Sequence, residues 1–400
     1  MHLLLIGGGH ALLPTLAHAR TWTRTGHRVT LVDPHRHLYY SGMVPEYLGG
    51  VYRRDEVRID LTAHAHAAGV AHVQARATAL DAGARTMTLD TGDVLRYDAV
   101  AFDIGGVNPH QPNGAIPTKP IAAIERLEDR VRAFLRTSGS SLRVAVVGGG
   151  AAGVEIAMNL LGRAHAAGRL PDLSLTLLEA DDKILARFPE GMQRAVARHL
   201  VAYGTTLRTA TRVARIEDGQ VHTHGGESHA ADAVLWATGS VGPDVLRTSG
   251  LPTDARGFLL TDRTLRSLGD PHVFAGGDCA TVQGLEHLAK VGVHAVKHGA
   301  VLRANLHRTL VHRADRGSVP PADALQPFRP YPAAPLVLST GTDEALWMAG
   351  NRWLRGRPAL RLKHWIDRRW IRAYAPAWAG ASWTDLQRPD AASAMRWAGD

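Results

Sequence analysis

One pattern occurs twice in this chain and limits its fold more than any other feature. The apolar run His2-Leu-Leu-Leu-Ile6 ends in Gly7-Gly8-Gly9-His10. The segment Ala11–Ala19, which can be helical, follows, and then a second apolar run, Arg28–Val32, ends at Asp33. Val144–Val147 leads in the same way into Gly148-Gly149-Gly150-Ala151-Ala152-Gly153, the helix-like segment Val154–Leu161, and the run Leu173–Leu178 ending at Glu179. Strand, glycine turn, helix, strand, acid is the opening of a doubly wound unit, so the fold class is α/β with two nested Rossmann-like units. The chain has 400 residues. That exceeds the roughly 250–300 residues at which single cores stop growing, so two such units fit its length.

Three further runs, Asp98–Gly106, Asp232–Ser240 and His272–Asp278, also pass from apolar residues into glycine or an acid. Proline-rich stretches at 108–120 and 319–335 read as linkers.

The turns have a chemical reading. A dinucleotide pyrophosphate is stabilised by the positive end and free N–H groups of a helix, provided the backbone can come close. Glycine allows that approach. Gly148, Gly150 and Gly153 fill the tight-turn, approach and packing positions, and Glu179 can accept from both ribose hydroxyls. A carboxylate there repels a 2′-phosphate, which favours NADH over NADPH. In the first copy Gly7 and Gly9 are present, Leu12 stands at the third position, and Asp33 is placed for an adenosine ribose.

Composition narrows the chemistry. Cys279 is the one cysteine in the chain, so a disulfide, a cysteine-built metal site and a paired-thiol relay are all excluded within it. The net charge is +9, and residues 345–375 hold eight basic side chains against one acid, Asp367. The rest is near neutral, which argues against a protein that coats nucleic acid. No apolar run is long enough for a transmembrane helix. The amino end does not read as a signal peptide. No metal-ligand spacing stands out.

Taken together, the two units, Ala237-Thr238-Gly239 and Phe274-Ala-Gly-Gly-Asp278 resemble the flavin-dependent pyridine nucleotide–disulfide oxidoreductase superfamily over roughly residues 1–310. Three segments narrow the resemblance: Asp33–Pro45, Leu288–Gly299 and Leu362–Trp370. They are similar to the branch that includes type II NADH:quinone oxidoreductases and the reductase domain fused to selenophosphate synthase in some proteins. The resemblance implies FAD in the first unit and NADH in the second. On the FAD side it implies Gly7, Gly8, Gly9, His10, Asp33 and Pro34, with Tyr40, Ser41 and Gly42 near the isoalloxazine. Asp103, Ile104 and Gly105 would line a strand end, Gly277 and Asp278 would face the ribityl or pyrophosphate, and Ala289 and Lys290 would lead a helix toward the flavin. On the NADH side it implies Gly148, Gly150, Gly153, Glu179 and Gly239. Lys290 and Glu155 are the implied catalytic groups, the second near the nicotinamide. Leu12 and the run Asp103-Ile104-Gly105-Gly106 depart from the family's pattern.

Seven of nine tryptophans lie after residue 345: Trp347, Trp353, Trp365, Trp370, Trp378, Trp383 and Trp397. On a helix, Leu362, Ile366, Trp370 and Tyr374 share one face and Arg361, Arg368 and Arg372 lie largely on another. This reads as a peripheral membrane surface over 345–375, with homodimer or intramolecular packing as the other reading. His35, His37, His294 and His298 lie near the implied flavin segments and read first as satisfied structural histidines.

The expected organisation is an FAD domain of residues 1–110 and 241–325, an NADH domain of 111–240, and a docking or dimer region of 326–400. The expected activity is hydride transfer from NADH to FAD, then two electrons to a quinone. A soluble selenium or sulfur acceptor is one alternative, and a non-catalytic NADH-sensing protein is another. The expected place is the cytoplasm, at the cytoplasmic face of the inner membrane where the tail docks.

Overall fold

Each apolar run of the repeated pattern is a strand of a parallel sheet in the computed structural model, which describes residues 1–375. In the first sheet His2–Ile6 pairs with Arg28–Val32 on one side and Ala99–Phe102 on the other. Ala71–Val73 and Val273–Ala275 take the edges. Leu3, Leu4 and Leu5 are fully buried. A strand without alternation is what a sheet covered on both faces requires, and each such leucine contributes roughly 1.5–3 kcal/mol.

The second sheet repeats the first. Leu142–Val147 lies between Leu173–Leu178 and Ala233–Trp236, with Thr206–Arg208 and Ile116–Pro117 outermost. The repeat extends past the glycine turns. Each copy carries a three-stranded antiparallel meander before its closing central strand, Ala77–Asp81 with Thr86–Leu89 and Val94–Arg96 in the first, Val213–Glu217 with Gln220–Thr223 and Ser228–Ala230 in the second.

The chain divides into two units. The first holds residues 1–38, 60–107 and 241–334, and the second holds 39–59, 108–240 and the described residues from 335. Two segments therefore fall elsewhere than the sequence suggests. Residues 39–59, expected with the FAD residues, belong to the second unit, where the helix Val44–Leu48 packs on the helix Ala151–Ala166. A Cβ on Gly49 would come within 2.7 Å of Asn159 Oδ1. Residues from 326 form no unit of their own. From 335 they join the second as the strands Leu336–Ser339, Ala345–Ala349 and Arg352–Gly356 and the helix Arg357–Ile371. A side chain at Gly162 would overlap the Gly341 carbonyl, so this close approach needs glycine.

The carboxy-terminal helix Arg357–Ile371 forms where its periodicity predicts. Leu362 and Ile366 are 39% and 38% exposed, while Lys363, His364, Asp367 and Arg368 are buried. Trp370 and Tyr374 are half-buried. Arg368 is thus not the solvated residue the stripe implies. On the buried face Lys363 lies against Glu46 and Glu155, and the Arg368 guanidinium lies 5.6 Å from the centre of the Tyr52 ring. Trp378, Trp383 and Trp397 lie outside the described residues. Among the described residues no helix is long and apolar enough to cross a membrane.

Candidate functional site

In both units the acid ties its strand end to the glycine turn. Asp33 Oδ2 accepts from Gly8 N at 2.7 Å and Oδ1 from His35 N, across Pro34, at 2.8 Å. Glu179 Oε2 accepts from Gly149 N at 2.5 Å and Oε1 from Asp181 N at 2.8 Å. Each carboxylate oxygen keeps lone-pair capacity for a ribose hydroxyl.

The glycines of the second turn divide by task. Gly148 has φ +112, and a Cβ there would sit 2.5 Å from the Ala237 carbonyl; one on Gly153 would overlap the Gly148 carbonyl. The chain itself requires both. Gly150 has φ −72, and a Cβ there would have nothing within 4 Å. It opens the 16-residue helix Ala151–Ala166. Open space at that helix end is where an anion's approach would need a missing side chain. Gly239 is open in the same way, and Thr238 Oγ1 is buried without a hydrogen-bond partner.

In the first turn the two departures from the family's pattern meet. The buried Asp103 carboxylate accepts from Ala11 N at 2.5 Å and Leu12 N at 3.2 Å, so the strand-end acid caps the turn in which Leu12 replaces glycine. A side chain on Gly7 or Gly9 would overlap Asp103, and one on Gly7 would also press on Ile104. Burial raises Asp103 to about 7, with Asp278 and Asp33 adding to the shift. Gly105, at φ +67, faces open space.

A pocket lies at the amino end of the helix Gly292–Arg316, with Gly277, Asp278, Ala289, Lys290, His294 and His298 among its walls. His298 Nδ1 accepts from Gly277 N at 3.1 Å, so the neutral ring carries its proton on Nε2. That Nε2 is buried without a partner, as is Nδ1 of His294. These two histidines are not the fully satisfied pair expected. Burial lowers His298 to about 3 and His10 to about 4, which keeps both rings neutral. Lys290 donates to the Ala280 carbonyl and to Thr281 Oγ1 and lies 4.4 Å over the Phe258 ring. Burial lowers it to about 8. Its ammonium braces the loop after Cys279. A buried, unanswered N–H donor beside a glycine-lined opening fits a ligand rich in acceptor oxygens, as FAD is. Cys279 itself is buried, its Sγ 3.1 Å from the Gly276 carbonyl, and burial pushes its thiol up to about 12.

Tyr40, Ser41 and Gly42 belong to the second unit, whereas the other implied FAD residues belong to the first. Tyr40 stacks on Trp370 at 4.3 Å, and the Gly42 carbonyl accepts from Lys363 Nζ at 2.6 Å. Glu155 is buried on the helix that Gly150 opens, and its Oε1 accepts from Ser339 N at 2.8 Å and Oγ at 3.1 Å. Lys363 Nζ is 3.6 Å from that oxygen and 3.0 Å from Asp367 Oδ2. Burial raises Glu155 to about 7, against the pull of Lys363. Sequence reasoning gave no role to Glu46, Lys363, His364 or Asp367, although the last three lie in Leu362–Trp370, one of the segments on which the resemblance rests. Among the described residues no group of three or more His, Cys, Asp or Glu is placed to hold a metal.

Residues 1–299 match the family described as pyridine nucleotide-disulphide oxidoreductase. The chain belongs to that family. It is 30% identical over 243 residues to an NADH dehydrogenase-like protein of Mycobacterium tuberculosis, covering 58% of this chain and 60% of that one. The match therefore spans somewhat over half of that relative's length. It is 26% identical over 292 residues to demethylphylloquinone reductase NdbB of Synechocystis, covering 69% and 71% of the two chains. The fold is that of NDH2 from Plasmodium falciparum in its complex with NADH, at a TM-score of 0.76, 13% identity and 97% and 99% coverage.

Proposed function

We propose that this chain is an FAD-dependent NADH dehydrogenase that passes two electrons to a quinone without a protein thiol in between. The observation that carries the reading is the pairing of two dinucleotide cradles with an inert cysteine. A buried thiol pushed up to about 12 supplies no thiolate at neutral pH, so it neither attacks a sulfur substrate nor relays electrons. The electrons then pass to an external acceptor. The relative named as a demethylphylloquinone reductase supports a quinone in that place.

FAD, when bound, accepts a hydride from NADH and returns two electrons to the acceptor. The rest belongs to the chain. Glu179 and the Gly148–Gly153 turn orient the nucleotide, with Gly239 at the facing strand end. Asp33, Asp103, Asp278 and the Gly7–His10 turn hold the other dinucleotide, and His298 offers it an uncharged donor. Lys290 braces the loop that ends at the helix Gly292–Arg316. Glu155 is the acid held ready to exchange a proton near pH 7.

Leu354, Leu362 and Ile366 are exposed, and Arg361 and Arg369 are exposed beside the last two. Leu362 and Ile366 lie one turn apart on the carboxy-terminal helix. Apolar side chains between arginines favour an anionic lipid surface, where a hydrophobic quinone resides. The homodimer remains the rival reading of the same face. The purified protein should sediment with anionic phospholipid vesicles and reduce a long-chain quinone held in them faster than a water-soluble quinone. Replacing Leu362 and Ile366 by serine should reduce both sedimentation and the preference, leaving water-soluble quinone reduction intact. Equal rates with both quinones and no vesicle binding would favour the soluble-acceptor reading instead.

A further inference from the structure

The proline-rich stretch 319–335, which reads as a linker, is tied down along most of its length within the first unit. The Pro320 carbonyl accepts from Arg266 Nη1 at 3.0 Å. Asn305, fully buried on the helix Gly292–Arg316, directs its whole amide at backbone groups. Its Nδ2 donates to the Thr264 carbonyl at 2.8 Å and to the Gln326 carbonyl at 2.9 Å, and its Oδ1 accepts from Gln326 N at 2.7 Å. Phe328 N donates to the Arg263 carbonyl at 2.5 Å. Lys297 Nζ lies 3.8 Å from the centre of the Tyr331 ring. Yet of residues 321–334 only Leu325 and Phe328 are buried. So many ties on a segment that buries two side chains direct attention to what those side chains touch.

Phe328 is fully buried. Its ring stands at 82° to the His298 ring with 4.3 Å between centres, and it meets His294 edge-on at 6.4 Å. His298 in turn holds a glycine turn, because its Nδ1 accepts from Gly277 N at 3.1 Å. Gly277 has φ +65, and a side chain there would strike Asp103. Glycine has more conformations open to it than any other residue, so what its N–H bonds to decides which one it keeps. The lone pair of Nδ1 lies in the plane of the imidazole. The bond to Gly277 therefore survives only while that plane is held, and losing it leaves a buried N–H without a partner. A fully buried ring packed across the imidazole is what holds the plane.

We propose that Phe328 is a positioning residue for the cofactor pocket: anchored through Asn305 and Arg263, it holds the His298 ring, and that ring holds the Gly276–Asp278 turn in the form that receives FAD. The assignment rests on the FAD reading of this pocket, whose walls include Gly277, Asp278, His294 and His298. Phe328 is not one of those walls, so it acts on the cofactor through His298. Without its ring the imidazole tilts, the turn samples other glycine conformations, and bound FAD leaves faster.

FAD release from holoenzyme, followed by the rise of flavin fluorescence after dilution, is compared for the wild type, Phe328→Leu, His298→Ala and the double variant. Phe328→Leu should release FAD about tenfold faster, within the range over which contacting residues couple. His298→Ala should release it at least as fast, and the double variant no faster than His298→Ala alone, since Phe328 then has no ring to hold. Amide hydrogen exchange supplies the second readout. In Phe328→Leu the Gly277 amide should exchange about tenfold faster, while the amides of His2–Ile6 keep the wild-type rate. The positioning role is overturned if Phe328→Leu leaves FAD release unchanged, or if the two single effects multiply in the double variant. It is also overturned if the sheet amides quicken as much as Gly277, which marks a general loss of stability. A wild type that binds no FAD refutes the FAD reading instead, and exchange at Gly277 then decides on its own whether Phe328 holds the turn.

Discussion

Replacing Lys363 by methionine is expected to destabilise the protein by roughly 3–5 kcal/mol at about pH 8, the cost of leaving buried carboxylates without their cation. Methionine keeps most of the volume, so the loss reports charge rather than a cavity. Lys363 is 4% exposed and touches Glu46, Glu155, Asp367 and the Gly42 carbonyl. Its charged form is favoured far above the usual lysine range, because the three acids outweigh the burial that opposes it.

The sign of the pH dependence follows from the acids. Burial raises Glu155 from 4.5 to about 7, so the stability it adds is complete below about pH 4.5 and is lost as pH rises through about 7. Burial also pushes Glu46 upward, but His364 and Lys363 outweigh it and hold that carboxyl at about 2. Its contribution is present at neutral pH and is lost only as pH falls toward that value. Removing Lys363 raises both acids, and protons then replace the missing cation. The deficit in urea unfolding should accordingly shrink between about pH 8 and pH 5.5. A loss below about 1 kcal/mol at the higher pH, the scale of an exposed ion pair, would contradict the burial of the cluster.

Gly150→Val should remove NADH use while leaving folding nearly untouched. Gly150 has an ordinary backbone conformation and open space where its side chain would stand. A Cβ there meets no atom of the chain within 4 Å, so the substitution chiefly opposes an arriving pyrophosphate. Nucleotide affinity should fall about 100-fold or more, the scale that a displacement near 1 Å imposes on a positioned ligand. Gly153→Val is the contrast. Its side chain would strike the Gly148 carbonyl, so it should lose folded protein along with binding. Titration of NADH fluorescence together with urea unfolding separates the two. Equal loss of stability in both variants would show that the space beside Gly150 is not a ligand site.

The contrast between these glycines shows what the sequence carried. The turns, their strands and the acids Asp33 and Glu179 are legible because their signal is local: apolar run, glycines and acid follow one another within one unit. The departures at Leu12 and Asp103 were visible too, but their meeting was not. Asp103 reaches Ala11 from a strand some ninety residues away, and only the sheet order brings them together. The carboxy-terminal helix shows the limit most clearly. Its spacing and its exposed apolar pair, Leu362 and Ile366, follow from the pattern, whereas the burial of Lys363, His364, Asp367 and Arg368 does not. Glu46 and Glu155, hundreds of residues upstream, offer Lys363 and His364 buried partners. The path of residues 39–59 into the second unit was hidden for the same reason. Tyr40 and Gly42 are fixed by Trp370 and Lys363, which no local pattern reports.

The central claim is that the two cradles hold FAD and NADH and that a hydride passes between these cofactors. An absorbance spectrum of the purified protein, before and after one equivalent of NADH without oxygen, tests it most directly. The account predicts oxidised-flavin bands at the start, bleached by NADH and restored when a quinone is added. A protein that stays colourless after reconstitution with FAD, or whose flavin bands persist in excess NADH, would contradict it.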